Sequence, residues 1–561
     1  MKNILSMFKS EEKRNFLLLA TISIFLSLLL VFSGNFSGHD LEFHISRIEG
    51  IYNGLKNGVF PVRIYPEHIY GYGYASGIFY PDLFLYIPAI LRLIGFNMMT
   101  SINILIAIAT FLTMLTMYFC VKRLSNSTNI SLCASILYVT SSYRLTDIFP
   151  RFALGELLAF IFLPLVIWGF YEIVYGNYKK WYIISIGFLG LLFSHMITFV
   201  LALSMTFIVF LCVLKKCIED SKRFQYLLIA IFVSCGLSLW FIVPMIEQLI
   251  VSEFVLNNVT ITTDLFGNAL NPLQLFFIDV LPNSIIPSWV TVDKSLNLGI
   301  IFIFLCLLRI YIFTNKDRYG KYPKYADIFL ILGVITAILS TKLFPWEIAP
   351  RLLGCIQFPW RIMEMSTIFL SISCAVTVFE FSKVKKASRY IVILISMISI
   401  ILAMPTFMRA KVNNITGLDT TSISFGEYLP MGTDVADLEN RGQVITSNDN
   451  TFVATNIEKK GSTIKFDYTC KNKDLYIDLP LLYYKGYTAT LFSDSGKKEN
   501  VDILDGDNNI VRLNVKGENK GLISVRYTGT FITRVCDKVS FIFMICIIIV
   551  FIIRNIRKSR K

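Results

Sequence analysis

Residues 16–34 read FLLLATISIFLSLLLVFSG, an uninterrupted apolar run that follows the basic residues Lys9, Lys13 and Arg14. A helix of about 20 apolar residues crosses a lipid bilayer, and positively charged flanks stay on its cytoplasmic side. The run is too long and too poorly terminated for a cleaved signal peptide, so it indicates a retained membrane anchor. The N-terminus is therefore predicted to be cytoplasmic, and the residues after position 34 are predicted to be external.

The rest of the chain repeats this apolar pattern. Its 561 residues are 55% hydrophobic and only 16% charged, whereas about 25% of the residues of a soluble protein are charged. Further apolar runs cover residues 102–121, 130–146, 157–174, 181–193, 197–214, 226–247, 298–314, 327–343, 363–381, 391–408 and 537–553. With the first run, they predict a polytopic α-helical membrane protein of about twelve transmembrane helices.

Basic residues concentrate in the short links between these runs. The net charge is +14, and clusters of Lys and Arg occupy residues 121–129, 176–180, 215–223, 315–324, 381–389 and 554–561. If residues 79–96 lie on the membrane surface instead of crossing it, all these links and both termini are cytoplasmic. Membrane topology therefore explains the positive net charge. The sequence indicates no folded basic face that could bind a nucleic acid. The predicted location is the cytoplasmic membrane.

The composition changes after residue 408. Residues 409–535 are polar, and apolar residues alternate with polar ones at Ile464, Phe466 and Tyr468 and at Val511, Leu513 and Val515. Such alternation is typical of half-buried strands. We expect a transmembrane domain over residues 1–408, an extracytoplasmic β-sandwich over 409–535, and a last helix with a basic cytoplasmic tail over 536–561.

The external loop 35–100 contains the first group of candidate site residues. Helical periodicity over residues 40–57 places Asp40, His44 and Arg47 on one stripe of a surface helix. Asp40 is a candidate general base or cation ligand, and His44 is a candidate ligand of the same Mg²⁺ or Mn²⁺ ion or a proton relay. Arg47 is a candidate phosphate-binding residue. The alternatives are a helix N-cap for Asp40 and a lipid-headgroup contact for Arg47.

Two later external links contain the second group of candidates. Asp147, Arg151 and Glu156 lie in one link, and Arg361 ends the segment IQFPWR in another. The two acids are candidates for assisting catalysis, and the two arginines are candidates for binding a substrate phosphate. The alternative is that these are ordinary charges of external loops. A turn near residues 194–195 is expected to place His195 close to the outer surface.

Short aromatic motifs give the chain a family resemblance. They are HDLEFHISRIEGI (39–51), FPVRIYP (60–66), GYGY (71–74), FYPDLFLY (79–86), FPRFALGE (149–156), IQFPWR (356–361), GEYLP (426–430), YYKGYTATL (483–491) and ISVRYTG (523–529). With these motifs the chain resembles the YfhO-like bacterial membrane proteins and a related family labelled 6-pyruvoyl-tetrahydropterin synthase-related. Its layout is similar to that of the GT-C membrane glycosyltransferases, in which an aspartate of the first external loop acts near a metal.

The resemblance implies a function. It implies transfer of a sugar from a polyprenyl-phosphate donor to a cell-envelope polymer or glycolipid at the outer membrane face, with Asp40 in the place of the loop aspartate. The alternative is a non-enzymatic protein, either a flippase for lipid-linked sugars or a scaffold for envelope glycosylation. A flippase is expected to bury several polar groups deep within its spans, and the apolar runs here contain few charges.

Overall fold

The computed structural model describes residues 11–32, 38–262, 264–276, 296–314, 324–384, 388–409, 423, 426–493 and 497–559. These residues form two compact units, each assembled from separate stretches of the chain. Unit 1 comprises Met1–Leu41, Asn97–Ile231 and Thr260–Gly417. Unit 2 comprises Glu42–Phe96, Phe232–Val259 and Leu418–Lys561. Residues 251–297 and 315–324, which connect successive apolar runs, lie partly outside the described residues.

The described part of the chain is mostly helical. In chain order the helices are α1 (Glu11–Phe32), α2 (Leu41–Lys56), α3 (Ser76–Phe79), α4 (Tyr86–Leu93), α5 (Met98–Ser125), α6 (Thr128–Val139), α7 (Ser142–Ile148), α8 (Leu154–Ala159), α9 (Leu163–Val174), α10 (Tyr182–Ser194), α11 (Met196–Glu219), α12 (Ser221–Val251), α13 (Val255–Thr262), α14 (Ile300–Thr314), α15 (Tyr325–Leu339), α16 (Met363–Val384), α17 (Ser388–Arg409), α18 (Val435–Arg441) and α19 (Phe531–Ser559).

Six helical segments in the described residues are long and apolar enough to cross a membrane. They are Met98–Ser125, Leu154–Val174, Met196–Glu219, Ser221–Val251, Pro359–Ser382 and Phe531–Ile553. Shorter apolar helices occur at Leu83–Leu93, Thr128–Val139, Ile300–Thr314, Tyr325–Leu339 and Tyr390–Ala403. The protein is thus a multi-pass membrane protein, whereas the total of about twelve spans stays a prediction.

Helix α16 is the central helix of unit 1. In the 18-residue apolar stretch within Pro359–Ser382, 94% is buried, against 6% in the corresponding stretch of Phe531–Ile553. Helices α6, α14 and α15 pack against α16, which explains why the apolar residues of α16 face protein on all sides. The polar group at its start, Glu364, is therefore held inside the unit.

The predicted turn near residues 194–195 is present in unit 1. Helix α10 ends at Ser194 and α11 begins at Met196. His195 between them has extended backbone angles, and its ring accepts a hydrogen bond from the backbone N–H of Thr198. This capping contact satisfies one of the free donors at a helix start.

Unit 2 contains an antiparallel sheet. Its strands are β1 (Thr446–Ser447), β2 (Val453–Lys460), β3 (Thr463–Thr469), β4 (Leu475–Leu482), β5 (Tyr487–Phe492), β6 (Lys498–Asp505), β7 (Ile510–Val515) and β8 (Lys520–Tyr527). The alternating apolar residues of β3 and β7 are buried, as their sequence predicts, and the polar residues between them are half-buried or exposed. The strand order is β1-β4-β7-β6-β5-β8-β3-β2.

The predicted β-sandwich is a single curled sheet. Strand β6 joins the two halves, because residues 498–501 pair with β5 and residues 502–505 pair with β7. Alternation in sequence predicts that each strand has one buried face, but it does not report whether the strands form one sheet or two.

The Gly/Tyr segment after α2 belongs to the core of unit 2. Tyr72 and Tyr74 are 0% and 2% exposed and pack with residues of the sheet. The backbone N–H of Leu482 donates to the Tyr72 carbonyl at 2.9 Å, and the Tyr74 hydroxyl accepts from the Tyr428 N–H at 3.0 Å. These two tyrosines therefore stabilise the fold of unit 2.

Candidate functional site

The segment of α7, α8 and the link between them brings together five of the predicted site residues in unit 1, which are Asp40, Asp147, Arg151, Glu156 and Arg361. Its backbone bonds to the residues that precede α2: the Asp40 N–H donates to the Arg151 carbonyl at 2.9 Å. A side chain at Gly38 would not fit, because its Cβ would lie 2.5 Å from the Cβ of Phe152. Glycine at position 38 thus allows the close approach that places Asp40 beside Arg151.

Arg151 lies between two buried carboxyl groups. Its Nη1 donates to Oδ1 of Asp147 at 2.5 Å, and its Nη2 donates to Oε1 of Glu156 at 2.6 Å. Nη1 also donates to the second Glu156 oxygen at 2.8 Å. The guanidinium carbon lies 4.1 Å from the ring centroid of Trp360. Charge-assisted pairs of this kind fix the orientation of both partners.

Arg361 reaches the same carboxylate from the short 3₁₀ helix Pro359–Ile362. Its Nε donates to Oε1 of Glu156 at 3.0 Å, and its Nη1 donates to the Ile356 carbonyl and to Oε1 of Gln357. In the described part of the chain, Nη2 of Arg361 donates no hydrogen bond. One N–H₂ group of this arginine is therefore available to an additional anionic oxygen.

Asp40 is partly buried at the edge of this cluster, and no hydrogen bond to its carboxylate is found among the described residues. Burial raises the pKa of Asp40, and it outweighs the opposing charge of Arg151. Glu156 raises the pKa further, while Arg361 lowers it. A carboxylate with a raised pKa is a better proton acceptor than an exposed one. The carboxylate makes no capping bond to α2, so the N-cap alternative lacks its characteristic hydrogen bond.

Glu364 is a further acid in the cluster that the sequence reasoning did not single out. It is fully buried at the start of α16, and its Oε2 accepts from the Thr198 hydroxyl at 2.6 Å. One oxygen each of Asp147, Glu156 and Glu364 lies within 4.8 Å of the others. An ionisable residue at the start of an apolar run was the signal that could have identified it.

Asp147 is, with Asp40, an acid of the cluster that lies outside the apolar segments, and its pKa is the more strongly raised of the two. Burial raises the pKa of Asp147 well above its ordinary value, and the neighbouring Glu156 carboxylate adds to this rise. Arg151 opposes the rise but does not cancel it. In these surroundings the negative charge of Asp147 is therefore unfavourable without a further positive partner.

The other two candidates, His44 and Arg47, belong to unit 2 and are buried there. Arg47 is 2% exposed, and its Nε donates to Oδ1 of Asp82 at 3.0 Å. Its Nη2 donates to the Pro81 carbonyl at 2.7 Å and its guanidinium carbon lies 4.2 Å from the Tyr80 ring centroid. These contacts occupy the donors that a phosphate would need. A phosphate-binding role for Arg47 stays a prediction.

The surroundings of His44 do not favour a metal. Its Nδ1 lies 3.2 Å from Nη1 of Arg47, so a guanidinium already occupies that side of the ring. A metal ion at Nδ1 would have to displace this guanidinium. The predicted metal pair of Asp40 and His44 thus stays a prediction, and carboxylate oxygens for a hard cation are concentrated around Arg151 instead.

Comparison with known proteins gives two matches. A family model described as "Bacterial membrane protein YfhO" matches residues 70–427. A protein of Lactococcus lactis subsp. cremoris (strain MG1363), described as "Uncharacterized protein", is 22% identical to this chain over an alignment 600 positions long. That alignment covers 96% of this chain and 95% of the relative.

Proposed function

The chain belongs to the YfhO family of bacterial membrane proteins, and from this premise we propose that it is a membrane glycosyltransferase. It moves a sugar from a polyprenyl-phosphate donor to a cell-envelope polymer or glycolipid at the outer face of the membrane. The observation that carries the proposal is the position of Asp40, whose backbone N–H bonds to the Arg151 carbonyl at the edge of a cluster in which Glu156 accepts from both Arg151 and Arg361.

Asp40 is the general base of the proposed reaction. Its carboxylate is partly buried, has a raised pKa, and is not held by a hydrogen bond from another described residue. It accepts the proton of the acceptor hydroxyl while the acceptor oxygen bonds to the anomeric carbon of the sugar. The bond from that carbon to the phosphate oxygen breaks at the same time, and polyprenyl phosphate leaves.

Arg361 stabilises the departing phosphate. Its Nη2 group has no acceptor in the described residues, whereas Nε and Nη1 are held by Glu156 and by the turn at residues 356–357. A guanidinium fixed on one side presents its remaining N–H groups at a defined position, so it needs no reorganisation as charge develops. Arg151 contributes its charge and orients Glu156, and Glu156 in turn orients Arg361.

The membrane setting suits a lipid-linked donor. Glu156 and Arg361 lie at the starts of the apolar segments Leu154–Val174 and Pro359–Ser382. A lipid phosphate at a segment end can react while its hydrocarbon tail stays in the bilayer, which avoids the cost of extracting the tail. We place this end outside, following the charge pattern of the links, and we propose that the sheet of unit 2 guides the polymer acceptor.

The proposal is tested with the purified chain in lipid nanodiscs. The wild type is incubated with a set of radiolabelled polyprenyl-phosphate hexoses and with envelope glycolipid, and the released polyprenyl phosphate and labelled product are measured. We expect transfer from one donor, and a loss of about 10²–10⁴-fold in Asp40→Asn. The matched control is Glu42→Gln, which changes an exposed acid two residues away. Equal transfer by Asp40→Asn and wild type, or translocation of the donor without transfer, would contradict the proposal.

A further inference from the structure

Three carboxyl groups from three different elements meet in the interior of unit 1. Asp147 comes from α7, Glu156 from α8 and Glu364 from α16, and none of the three is more than 1% exposed. We propose that they form a binding site for one divalent metal ion. The site does not depend on the proposed transfer reaction, because it can be measured without a donor.

The spacing of the oxygen atoms fits a hard cation. One oxygen of each carboxyl lies within 4.8 Å of one oxygen of each other carboxyl. Oxygen ligands bind Ca²⁺ at about 2.3–2.6 Å and Mg²⁺ at about 2.0–2.1 Å, so oxygens on opposite sides of an ion are roughly 4–5 Å apart. The three side chains therefore need to move little, if at all, to contact a common ion.

Two of these carboxyls retain an oxygen atom without a partner. Oδ1 of Asp147 accepts from Arg151 and Oε2 of Glu364 accepts from Thr198. Oδ2 of Asp147 and Oε1 of Glu364 are fully buried and have no hydrogen-bond partner among the described residues. A buried oxygen without a partner is unfavourable and is rare in native proteins, and a cation bound between these carboxyls would supply a partner of opposite charge.

The balance of charges around the three acids favours the binding of a cation. The Asp147 carboxyl faces the charges of Arg144, Arg151 and Arg361, and Glu156 also senses His195. With Asp40 included, ionised carboxylates outnumber the arginines. Burying an unpaired charge is strongly unfavourable, so a bound metal ion would compensate the excess negative charge of the cluster. Carboxylates without a cysteine ligand favour Mg²⁺, Mn²⁺ or Ca²⁺.

The test uses Mn²⁺ as the probe, because it can be followed by its paramagnetic resonance signal. The full-length protein, purified in detergent and stripped with a chelator, is titrated with Mn²⁺, and Mg²⁺ and Ca²⁺ are added as competitors. We expect one bound ion per chain, and an affinity at least 10-fold weaker in Glu364→Gln and in Asp147→Asn. The matched control is Glu380→Gln, a buried carboxyl on the same helix outside the cluster, which should bind Mn²⁺ as the wild type does.

A second measurement does not require a variant to fold. Fe²⁺ bound in place of Mn²⁺, with ascorbate and peroxide, cuts the backbone close to the ion, and mass spectrometry identifies the cuts. We expect cuts near residues 147, 156 and 364 in the wild type, suppressed by excess Mg²⁺. Absence of stoichiometric binding, equal binding by Glu364→Gln and wild type, or cuts confined to the neighbourhood of His44 would overturn the proposal.

Discussion

Oε1 of Glu156 accepts a hydrogen bond from Nε of Arg361 at 3.0 Å, although 205 positions separate the two residues in the chain. The same oxygen accepts from Nη2 of Arg151 at 2.6 Å. Glu156 thus joins two arginines from separate parts of the chain and holds both guanidinium groups in defined orientations. The Arg361–Glu156 contact determines where the proposed phosphate-binding group lies.

Replacing Arg361 with lysine should reduce transfer strongly. Lysine keeps the positive charge but has no fork of N–H donors, so it cannot bind Glu156 and a phosphate oxygen in the same geometry. We expect Arg361→Lys to lower kcat by about 10²–10³-fold, the range for loss of one preorganised donor. The measurement is transfer from the lipid-linked donor in nanodiscs.

The control for Arg361→Lys is Arg123→Lys. Arg123 also pairs with a buried glutamate, Glu172, but at a different segment end. Transfer by Arg123→Lys should match the wild type, which separates the loss of a phosphate contact from a general effect of weakening an arginine–glutamate pair. Equal losses in the two variants would refute a specific role for Arg361.

The fall of kcat/KM at acidic pH should reflect protonation of Asp40. The residue accepts a proton only when ionised, and burial raises its pKa. As the pH falls through the raised pKa, the ionised fraction and the rate fall together, at pH values above those expected for an exposed aspartate. We expect kcat/KM to decline at acidic pH in the wild type, and the residual rate of Asp40→Asn to lack this decline. An identical acidic limb in both proteins would assign it to another group.

The Arg47–Asp82 pair should contribute stability to unit 2. Both side chains are buried, at 2% and 6% exposed, and the hydroxyl of Tyr65 also donates to Asp82. Removing one partner leaves the other charge buried and unpaired, which costs about 3–5 kcal/mol. We expect Arg47→Met to lower the free energy of unfolding by that amount in a denaturant titration.

A double variant distinguishes this role from phosphate binding. Arg47→Met with Asp82→Asn removes both charges, so it should be more stable than Arg47→Met alone. Transfer by the double variant should be retained in proportion to the folded protein. If the stable double variant lost transfer completely, Arg47 would have the phosphate role that its sequence position predicts.

Membrane orientation can be tested by cysteine labelling. Lys179 and Asn500 are both exposed, and the charge pattern places the first in a cytoplasmic link and the second outside. We expect a membrane-impermeant maleimide added to intact cells to label Asn500→Cys above the background of the parent protein, and to label Lys179→Cys only after lysis. Labelling of position 179 in intact cells would overturn the twelve-span topology.

Local patterns in the sequence predicted the elements well. The periodicity over residues 40–57 corresponds to helix α2 (Leu41–Lys56), and the alternating residues of β3 and β7 have the expected buried faces. Helical and strand periods depend on neighbouring residues along the chain, so a single sequence contains them. The grouping of Asp147, Arg151 and Glu156 was accessible for the same reason.

The packing of distant segments against each helix and strand was harder to predict. Helical spacing placed His44 and Arg47 on a polar stripe, but both side chains are buried. Two glycines of α2 explain part of this, because a Cβ at Gly50 would lie 2.4 Å from Tyr65 and one at Gly54 would lie 2.5 Å from Val62. They allow the following segment to pack directly on the helix. Contacts between distant residues, such as Glu364 with the other acids, leave no local pattern in one sequence.

The most direct test of the account is the envelope glycan composition of cells that carry Asp40→Asn. Cells with the wild-type gene, a deletion, Asp40→Asn and Glu42→Gln are compared by mass spectrometry, with equal amounts of each protein verified in the membrane. We expect the sugar decoration that is missing from the deletion cells to be missing from the Asp40→Asn cells as well. The same decoration should be present in the Glu42→Gln cells. Decoration at the wild-type level in Asp40→Asn cells, against a clear loss in the deletion, would contradict the account.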